Sequence, residues 1–117
     1  MPQPKILVFG GSIRTGSLSA RLAALAAKEI AVAGGDVTLI SLADYPLPLY
    51  NGDLEAESGI PENPTRLARL MEPQQGLFIA TPEYNHSLPP LLKNTIDWVS
   101  RHKVSMGIKY YGKVVAI

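Results

Sequence analysis

Short apolar runs recur along the chain and are separated by longer, mixed segments. The runs are KILVF (5–9), DVTLISL (36–42), QGLFIAT (75–81) and KVVAI (113–117). Continuous apolar runs rich in β-branched and aliphatic residues are typical of strands that are buried on both faces of a sheet. The pattern therefore predicts four strands.

Segments between these runs have the spacing of amphipathic helices. They cover residues 18–33, 65–72 and 91–101. In the first of them, apolar positions at helical spacing predict the face that packs inward: Leu18, Leu22, Leu25, Ala26 and Ile30. Residues 43–63 are rich in proline, glycine and acidic residues, and they predict an irregular excursion over the surface.

Strands that alternate with helices predict one α/β domain over residues 1–117, with a four-stranded open parallel sheet and helices on both faces. This is a three-layer α/β/α architecture. The last predicted strand is of the buried kind and stands at the end of the sequence. Either this strand lies at an edge of the sheet, or the domain is incomplete at its C-terminus, and we expect the second.

Composition narrows the classes of function. The 117 residues are 46% hydrophobic, carry a formal charge of +1 and include no cysteine, which excludes disulfide scaffolds, cysteine-ligated metals and thiol catalysis. The two histidines lack metal-like spacing, so we expect no metal site. The charge gives no reason to expect nucleic acid, and no apolar run approaches the roughly 20 residues of a membrane span. The N-terminal MPQPK does not resemble a signal peptide, so we expect a cytoplasmic protein.

The loop FGGSIRTGS (9–17) follows the first strand and looks like a phosphate-binding loop. Gly11 and Gly16 have the spacing of a P-loop, but Ser17 stands where that motif needs lysine. The dinucleotide fingerprint fails too, because Ile13 stands where its second glycine belongs. The loop thus fits neither of the two common phosphate motifs.

Its donors nevertheless suit a phosphate monoester. Serine hydroxyls, an arginine fork and the N–H groups at the start of a helix all bind phosphate oxygens. The candidate residues are Ser12, Arg14, Ser17, Leu18 and Ser19. An ordinary strand-to-helix turn capped by Ser17 is the alternative.

A second loop, TPEYNHS (81–87), follows the third strand. The candidates in it are Pro82, Glu83, Tyr84 and Asn85, because turn N–H groups can face a heteroaromatic ring that the tyrosine flanks. A simple turn leading into a helix is the alternative. His86 is more typical of a surface histidine than of a catalytic base.

Together, these loops and the following helix resemble the NADPH-dependent FMN reductase family, whose fold is flavodoxin-like. Its pattern is approximately G-S-x-R-x-x-S-x-N, followed by P-E-Y-N-x-S-x-P-x-x-L-K-N-x-x-D-W. The matching residues are Gly11, Ser12, Arg14, Ser17, Pro82, Glu83, Tyr84, Asn85, Ser87, Pro89, Leu92, Lys93, Asn94, Asp97 and Trp98. The resemblance covers essentially the whole chain.

The resemblance implies that Ser12, Arg14 and Ser17 bind the phosphate of FMN, with Ser19 where the family often has asparagine. Residues 82–85 would lie against the isoalloxazine ring. The flavin would carry hydride from NADPH or NADH to a small-molecule acceptor such as a flavin or a quinone. We therefore expect no catalytic side chain.

The resemblance also implies a homodimer or homotetramer. The helix that carries Lys93, Asp97, Trp98 and Arg101 is the candidate contact. The resemblance implies that family members continue past this point with a glycine-rich loop that completes the flavin site. We therefore expect this chain either to bind FMN weakly or to depend on oligomerisation to cover exposed apolar surface. The alternative function is an FMN-binding module, or a truncated paralogue, without efficient NAD(P)H oxidation.

Overall fold

The computed structural model describes residues 3–102 and the backbone of residues 114–116. Its strands are β1 (Lys5–Gly10), β2 (Asp36–Leu39), β3 (Gly76–Ala80) and β4 (Val114–Ala116). They pair in parallel in the order β2-β1-β3-β4, so β1 and β3 are neighbours at the centre. The predicted open parallel sheet is confirmed. The predicted loop before β4 lies outside the described residues.

The helices are α1 (Leu18–Val32), α2 (Gly52–Ser58), α3 (Glu62–Met71) and α4 (Pro90–Val99). The prediction of an irregular segment over residues 43–63 was wrong at two places, because this segment contains α2 and the first two residues of α3. Asn51 begins α2 by accepting a hydrogen bond from the N–H of Asp53 at 2.9 Å. Pro64 lies in the first turn of α3, where proline removes no helical hydrogen bond.

The second strand is shorter than predicted. It ends at Leu39, and a 3₁₀ turn follows over Leu42–Asp44. Ser41 begins this turn, because its hydroxyl accepts a hydrogen bond from the N–H of Ala43 at 3.2 Å. The last residue of the apolar run therefore belongs to this turn and not to the strand.

Helices cover both faces of the sheet, as predicted. On one face, α3 and α4 pack on β1 and β3 to form the main core. This core contains Leu7, Phe9, Leu42, Leu67, Ala68, Met71, Leu77, Ile79, Leu92 and Val99. On the other face, α1 places Ala23 and Ala27 against Val8 and Ala80.

The inward face of α1 differs from the predicted one. Ala23 and Ala27 are buried, whereas Leu18, Leu22 and Leu25 are more than half exposed. Because alanine is small, a helix face of alanines lets the helix axis come close to the sheet. The apolar residues of α1 are spread too widely around the helix for all of them to face the sheet. Together with Val32 near the end of the helix, four apolar side chains of α1 are therefore exposed to solvent.

Residues 48–50 are fixed to α4 by a set of hydrogen bonds. The buried indole of Trp98 donates from Nε1 to the carbonyl of Pro48 at 2.7 Å, and Asn94 donates to the same carbonyl at 3.0 Å. Asn94 also accepts from the N–H of Tyr50 at 2.8 Å, and the Tyr50 ring packs edge-on against Trp98. The surface excursion is thus docked on α4.

An ion pair adds to this docking. Arg101 donates to both carboxylate oxygens of Glu55, at 2.8 and 2.9 Å, and Tyr50 donates to the same carboxylate at 3.2 Å. The hydrogen bond from Arg101 is the largest influence that lowers the pKa of Glu55, and the same bond raises the pKa of Arg101. The pair joins α2 to the end of α4.

The subunit contact that the sequence predicts on α4 stays a prediction. Its four residues differ in whether their side chains are already engaged within the chain. Trp98 and Arg101 are engaged within the chain, as described above. Lys93 and Asp97 form an exposed ion pair at 2.7 Å, one helical turn apart. A contact on this helix would therefore use Lys93 and Asp97 rather than the tryptophan.

Candidate functional site

Two loops leave the same edge of the sheet side by side. Gly10 at the end of β1 pairs with Ala80 at the end of β3, and the N–H of Gly11 donates to the carbonyl of Ala80 at 2.7 Å. A Cβ atom at position 11 would lie 2.5 Å from Oγ1 of Thr81, so this close approach requires glycine. The β1–α1 loop and the loop after β3 therefore form one surface. It lies at the carboxyl ends of parallel strands, where ligands bind in open α/β sheets.

The β1–α1 loop is curled by its own hydrogen bonds. Ser12 Oγ accepts from the N–H of Arg14 at 3.2 Å, and the N–H of Ser17 donates to the carbonyl of Arg14 at 3.0 Å. Ser17 is buried and caps α1, because its Oγ accepts from the N–H of Ala20 at 3.2 Å. Each hydroxyl still has an O–H to donate to a ligand.

The same loop presents positive groups. Arg14 is exposed, and its guanidinium has no hydrogen-bond or ion-pair partner in the part of the chain that the structure describes. Leu18 and Ser19 lie in the first turn of α1, where helix geometry leaves N–H groups without intrahelical acceptors. The Leu18 side chain points into solvent, so only its N–H can take the predicted part. Such a helix start favours a bound anion.

The loop after β3 is a miniature hairpin. The N–H of Tyr84 donates to the carbonyl of Ser87 at 3.0 Å, and the N–H of Ser87 donates back at 3.1 Å. Asn85 and His86 between them have φ of 53° and 63°, which are the left-handed values of a type I′ turn. The exposed carboxylate of Glu83 lies 3.0 Å from Nδ1 of His86. The turn thereby holds Tyr84 beside the β1–α1 loop.

A cavity of about 370 Å³ lies where the loops meet. Its walls are formed by Gly11, Ser12, Ile13, Arg14, Tyr84, Pro89, Pro90 and Leu91. The structure therefore brings Ser12, Arg14 and Tyr84 of the predicted residues to one cavity.

The other predicted residues lie beside this cavity rather than in its walls. Ser17, Leu18 and Ser19 form the start of α1. Glu83 and Asn85 belong to the hairpin, whereas Pro82 offers its carbonyl to the hydroxyl of Thr81 at 3.0 Å. The role of every predicted residue in binding stays a prediction.

Sequence reasoning missed the apolar part of the cavity wall. It consists of Ile13, Pro89, Pro90 and Leu91. In the sequence, the paired prolines indicated only the start of α4. The isoleucine between Ser12 and Arg14 was the one further sign of an apolar wall.

The described residues contain no group of three or more His, Asp or Glu placed to hold a metal ion. In the same residues, no helix has the length and apolar character of a membrane span.

Comparisons with known proteins agree on one family. Residues 4–117 match the family described as NADPH-dependent FMN reductase. A quinone reductase of Escherichia coli is 41% identical over 98 residues, which cover 83% of this chain and 50% of that protein. An NAD(P)H-dependent FMN reductase of Pseudomonas aeruginosa is 42% identical over 98 residues, with the same two shares. The chain spans about half the length of the curated relatives it matches.

Solved structures show the same fold. The flavoenzyme NAD(P)H:(acceptor) oxidoreductase FerB of Paracoccus denitrificans superposes with a TM-score of 0.74 at 34% identity, over 96% of this chain and 58% of FerB. An azoreductase of Bacillus anthracis has a TM-score of 0.54 at 19% identity, over 86% of this chain and 57% of that one, and supports the fold alone.

Proposed function

Because the chain belongs to the NADPH-dependent FMN reductase family, we propose that it binds FMN where its two loops meet. We further propose that it passes reducing equivalents from NADPH or NADH to a small-molecule acceptor such as a flavin or a quinone. The observation that carries the proposal is the cavity that Ser12 and Arg14 of the β1–α1 loop share with Tyr84 of the hairpin, next to the start of α1.

The β1–α1 loop fits a terminal phosphate monoester. The hydroxyls of Ser12 and Ser17 accept from backbone N–H groups and so point in set directions, with one O–H each to donate. Arg14 supplies a guanidinium that its own chain leaves available, and the N–H groups of Leu18 and Ser19 add the helix dipole. A single phosphate needs neither the lysine nor the magnesium ion of a P-loop.

The adjoining wall fits a flat aromatic ring. Pro89, Pro90 and Leu91 offer an apolar surface, and the half-exposed Tyr84 lines the same cavity. Two backbone hydrogen bonds of the hairpin of residues 84–87 already fix the backbone of this tyrosine. Ligand binding therefore loses little entropy in ordering it. Residues 82–85 would lie along the ring.

Bound FMN would supply the redox chemistry, as an acceptor and donor of hydride. The work of this chain is then to bind and orient. Arg14 and the serines fix one end of the cofactor, Tyr84 and the hairpin fix the ring, and the proline wall excludes water from one side. No side chain is assigned a proton-transfer step.

A titration of the purified chain with FMN tests the site. Replacing Arg14 with alanine removes charge-assisted hydrogen bonds worth about 1.5–3 kcal/mol, so the dissociation constant should rise about 10- to 100-fold. Arg69→Ala is the matched control, because Arg69 is an exposed base in the last turn of α3, near the start of β3 and away from the carboxyl end of that strand where the cavity lies. Equal effects of the two variants would refute the assignment of the phosphate end.

Oxidation of NADPH, measured with saturating FMN and a benzoquinone, tests the activity. Turnover that falls in Arg14→Ala at limiting FMN and recovers at high FMN is the expected result. FMN binding without NADPH oxidation would support the alternative of a flavin-binding module. Absence of both would support a paralogue without activity.

The proposal extends to the setting of the protein. We propose a cytoplasmic homodimer or homotetramer without nucleic-acid or membrane partners. The names of the relatives, which are quinone and FMN reductases, support a small-molecule acceptor. Fractionation of cells that express a tagged chain would test the location.

A further inference from the structure

A second cavity, of about 400 Å³, lies at the carboxyl ends of β1 and β2. Its lining includes Gly10, the last residue of β1, and Leu39, the last residue of β2, and we call it the β2 cleft. Ser12 lines both this cleft and the cavity where the two loops meet, so the two spaces are neighbours. A cleft of this volume at this edge of the sheet is of the size that holds a small molecule.

The β2 cleft combines polar side chains with an apolar wall. The polar side chains are those of Ser12, Ser41, Asp44 and Tyr45, and Ala23 and Leu39 belong to the apolar wall. Asp44 is exposed, and its carboxylate has no hydrogen-bond or ion-pair partner in the part of the chain that the structure describes. Among the described residues that line the cleft, none is a lysine, an arginine or a histidine. The cleft therefore offers a ligand a negative charge and hydroxyl groups.

The backbone that carries Asp44 is fixed by hydrogen bonds. Ile40 continues the contact of β2 with β1, because its N–H donates to the carbonyl of Val8 at 3.0 Å. The N–H of Asp44 donates to the carbonyl of Ser41 at 3.1 Å, within the 3₁₀ turn that the Ser41 hydroxyl caps. The carboxylate therefore starts from a set position at the rim of the cleft.

Tyr45 is held by contacts with α3. The guanidinium of Arg66 lies 4.7 Å from the centroid of the Tyr45 ring, and the amide of Asn63 donates to the carbonyl of Pro46 at 2.8 Å. Arg66 does not line the cleft, and it donates to the side chain of Asn63 at 2.9 Å. The rim is thus ordered without a ligand, so binding loses little entropy there.

We propose that the β2 cleft binds the adenosine end of a nicotinamide adenine dinucleotide, with Asp44 accepting hydrogen bonds from the ribose hydroxyls. This assignment rests on the proposed function, which makes such a dinucleotide the hydride donor. The nicotinamide must then lie at the flavin ring beside Tyr84, so the adenosine end is the part that can reach a neighbouring cleft. In dinucleotide-binding α/β sheets, a carboxylate accepts a hydrogen bond from the 2′-hydroxyl of this ribose.

The charge of Asp44 makes the β2 cleft selective between the two donors. NADPH carries a phosphate on the 2′-oxygen, where NADH has the hydroxyl that a carboxylate binds. Like charges brought together disfavour a wrong partner, and no lysine or arginine among the described lining residues offsets the repulsion. We therefore expect this chain to use NADH in preference to NADPH.

Titration of the flavin-free chain with adenosine tests the cleft without flavin chemistry. Amide chemical shifts measured by NMR should change at Ser41, Asp44 and Tyr45. Adenosine lacks a phosphate, so it has no reason to bind at Arg14. 2′-Deoxyadenosine should bind about tenfold more weakly or worse, because it lacks a hydrogen bond to a charged group.

Asp44→Ala should weaken adenosine binding about tenfold or more and abolish the preference for adenosine over 2′-deoxyadenosine. Asp53→Ala is the matched control, because Asp53 is an exposed acid in the first turn of another short helix and does not line the cleft. It should bind adenosine as the wild type does. Circular dichroism checks that both variants are folded.

Activity provides a second measurement. With saturating FMN and a benzoquinone, the ratio of kcat/KM for NADH to kcat/KM for NADPH should fall about tenfold or more in Asp44→Ala and stay unchanged in Asp53→Ala. An unchanged ratio in Asp44→Ala would overturn the selectivity.

Three results of the adenosine titration would each overturn the assignment of the cleft. These are unchanged amide shifts in the wild type, equal affinities for adenosine and 2′-deoxyadenosine, and an unaltered affinity in Asp44→Ala. FMN titration of the same sample is read separately. Loss of FMN binding would refute the proposed function, whereas loss of adenosine binding with FMN binding intact would refute only this cleft.

Discussion

Replacing Gly11 with alanine should separate the two loops of the candidate site. The added Cβ would lie 2.5 Å from Oγ1 and 2.9 Å from Cβ of Thr81, distances that no real methyl group tolerates. The nearest backbone atom, Cα of Thr81, lies at 3.3 Å, so a side-chain rotation alone cannot relieve the overlap. The loop must move, and the bond from the Gly11 N–H to the Ala80 carbonyl must lengthen.

The cost follows from overpacking. Inserting a methyl group into a close-packed position costs about 1–3 kcal/mol. A domain of this size loses about 4 °C of melting temperature per kcal/mol, from an unfolding entropy of about 2 cal/mol/K per residue. We therefore expect Gly11→Ala to melt about 4–12 °C below the wild type.

Thermal unfolding by circular dichroism measures this change, and FMN titration measures its effect on the site. Gly10→Ala is a stringent control, because its Cβ would meet its nearest atoms at 3.4 Å, an ordinary contact. We expect this neighbour to melt within a few degrees of the wild type, and to bind FMN with less loss than Gly11→Ala. Equal melting temperatures and equal FMN affinities for the two variants would refute the steric reasoning.

Three further substitutions test other contacts. Ser17→Ala removes the cap of α1 and should cost about 0.5–2 kcal/mol in urea unfolding, whereas Ser19→Ala, outside the cap, should cost little. Trp98→Phe removes the indole hydrogen bond of a buried side chain and should cost about 1–3 kcal/mol by the same measurement; a neutral result would contradict the docking of the excursion. Because Arg101 lowers the pKa of Glu55, the pair stabilises the fold above the usual glutamate pKa of about 4.3 and loses this effect as the pH falls through the lowered value. Between about pH 5 and pH 3, the wild type should thus lose more stability than Glu55→Gln, and parallel pH curves would contradict this.

The sheet could be predicted from sequence because its signal is local. Apolar runs identified each strand, and alternation with helices gave a parallel sheet. Helix α2 escaped prediction, since its Asn51-Gly52 start also fits a turn and its short sequence buries no residue. The local sequence there is compatible with a turn or a helix, and the helix gains the ion pair of its Glu55 with Arg101, just after α4.

The face of α1 could not be predicted for a different reason. The leucines gave the stronger periodic signal in the sequence. Ala23 and Ala27 nevertheless pack on the sheet, because their small side chains let the helix lie close to the strands. The cavity wall likewise depends on the adjacency of β1 and β3, which carries Pro89 to the β1–α1 loop from a distant part of the chain. Candidate polar residues can be identified from a sequence by their type and spacing, but the surface that they form together depends on the tertiary structure.

The docking of residues 48–50 on α4 has an evolutionary consequence. Trp98 and Asn94 both bind the carbonyl of Pro48, a group that every amino acid possesses. The first residues of α4 form part of the cavity wall, so bonds that fix α4 also help to fix this wall. They do so without requiring a particular side chain at position 48. A substitution at position 48 would therefore keep this anchor as long as the tryptophan and the asparagine remain, whereas a change at Tyr50 would remove the ring contact with Trp98.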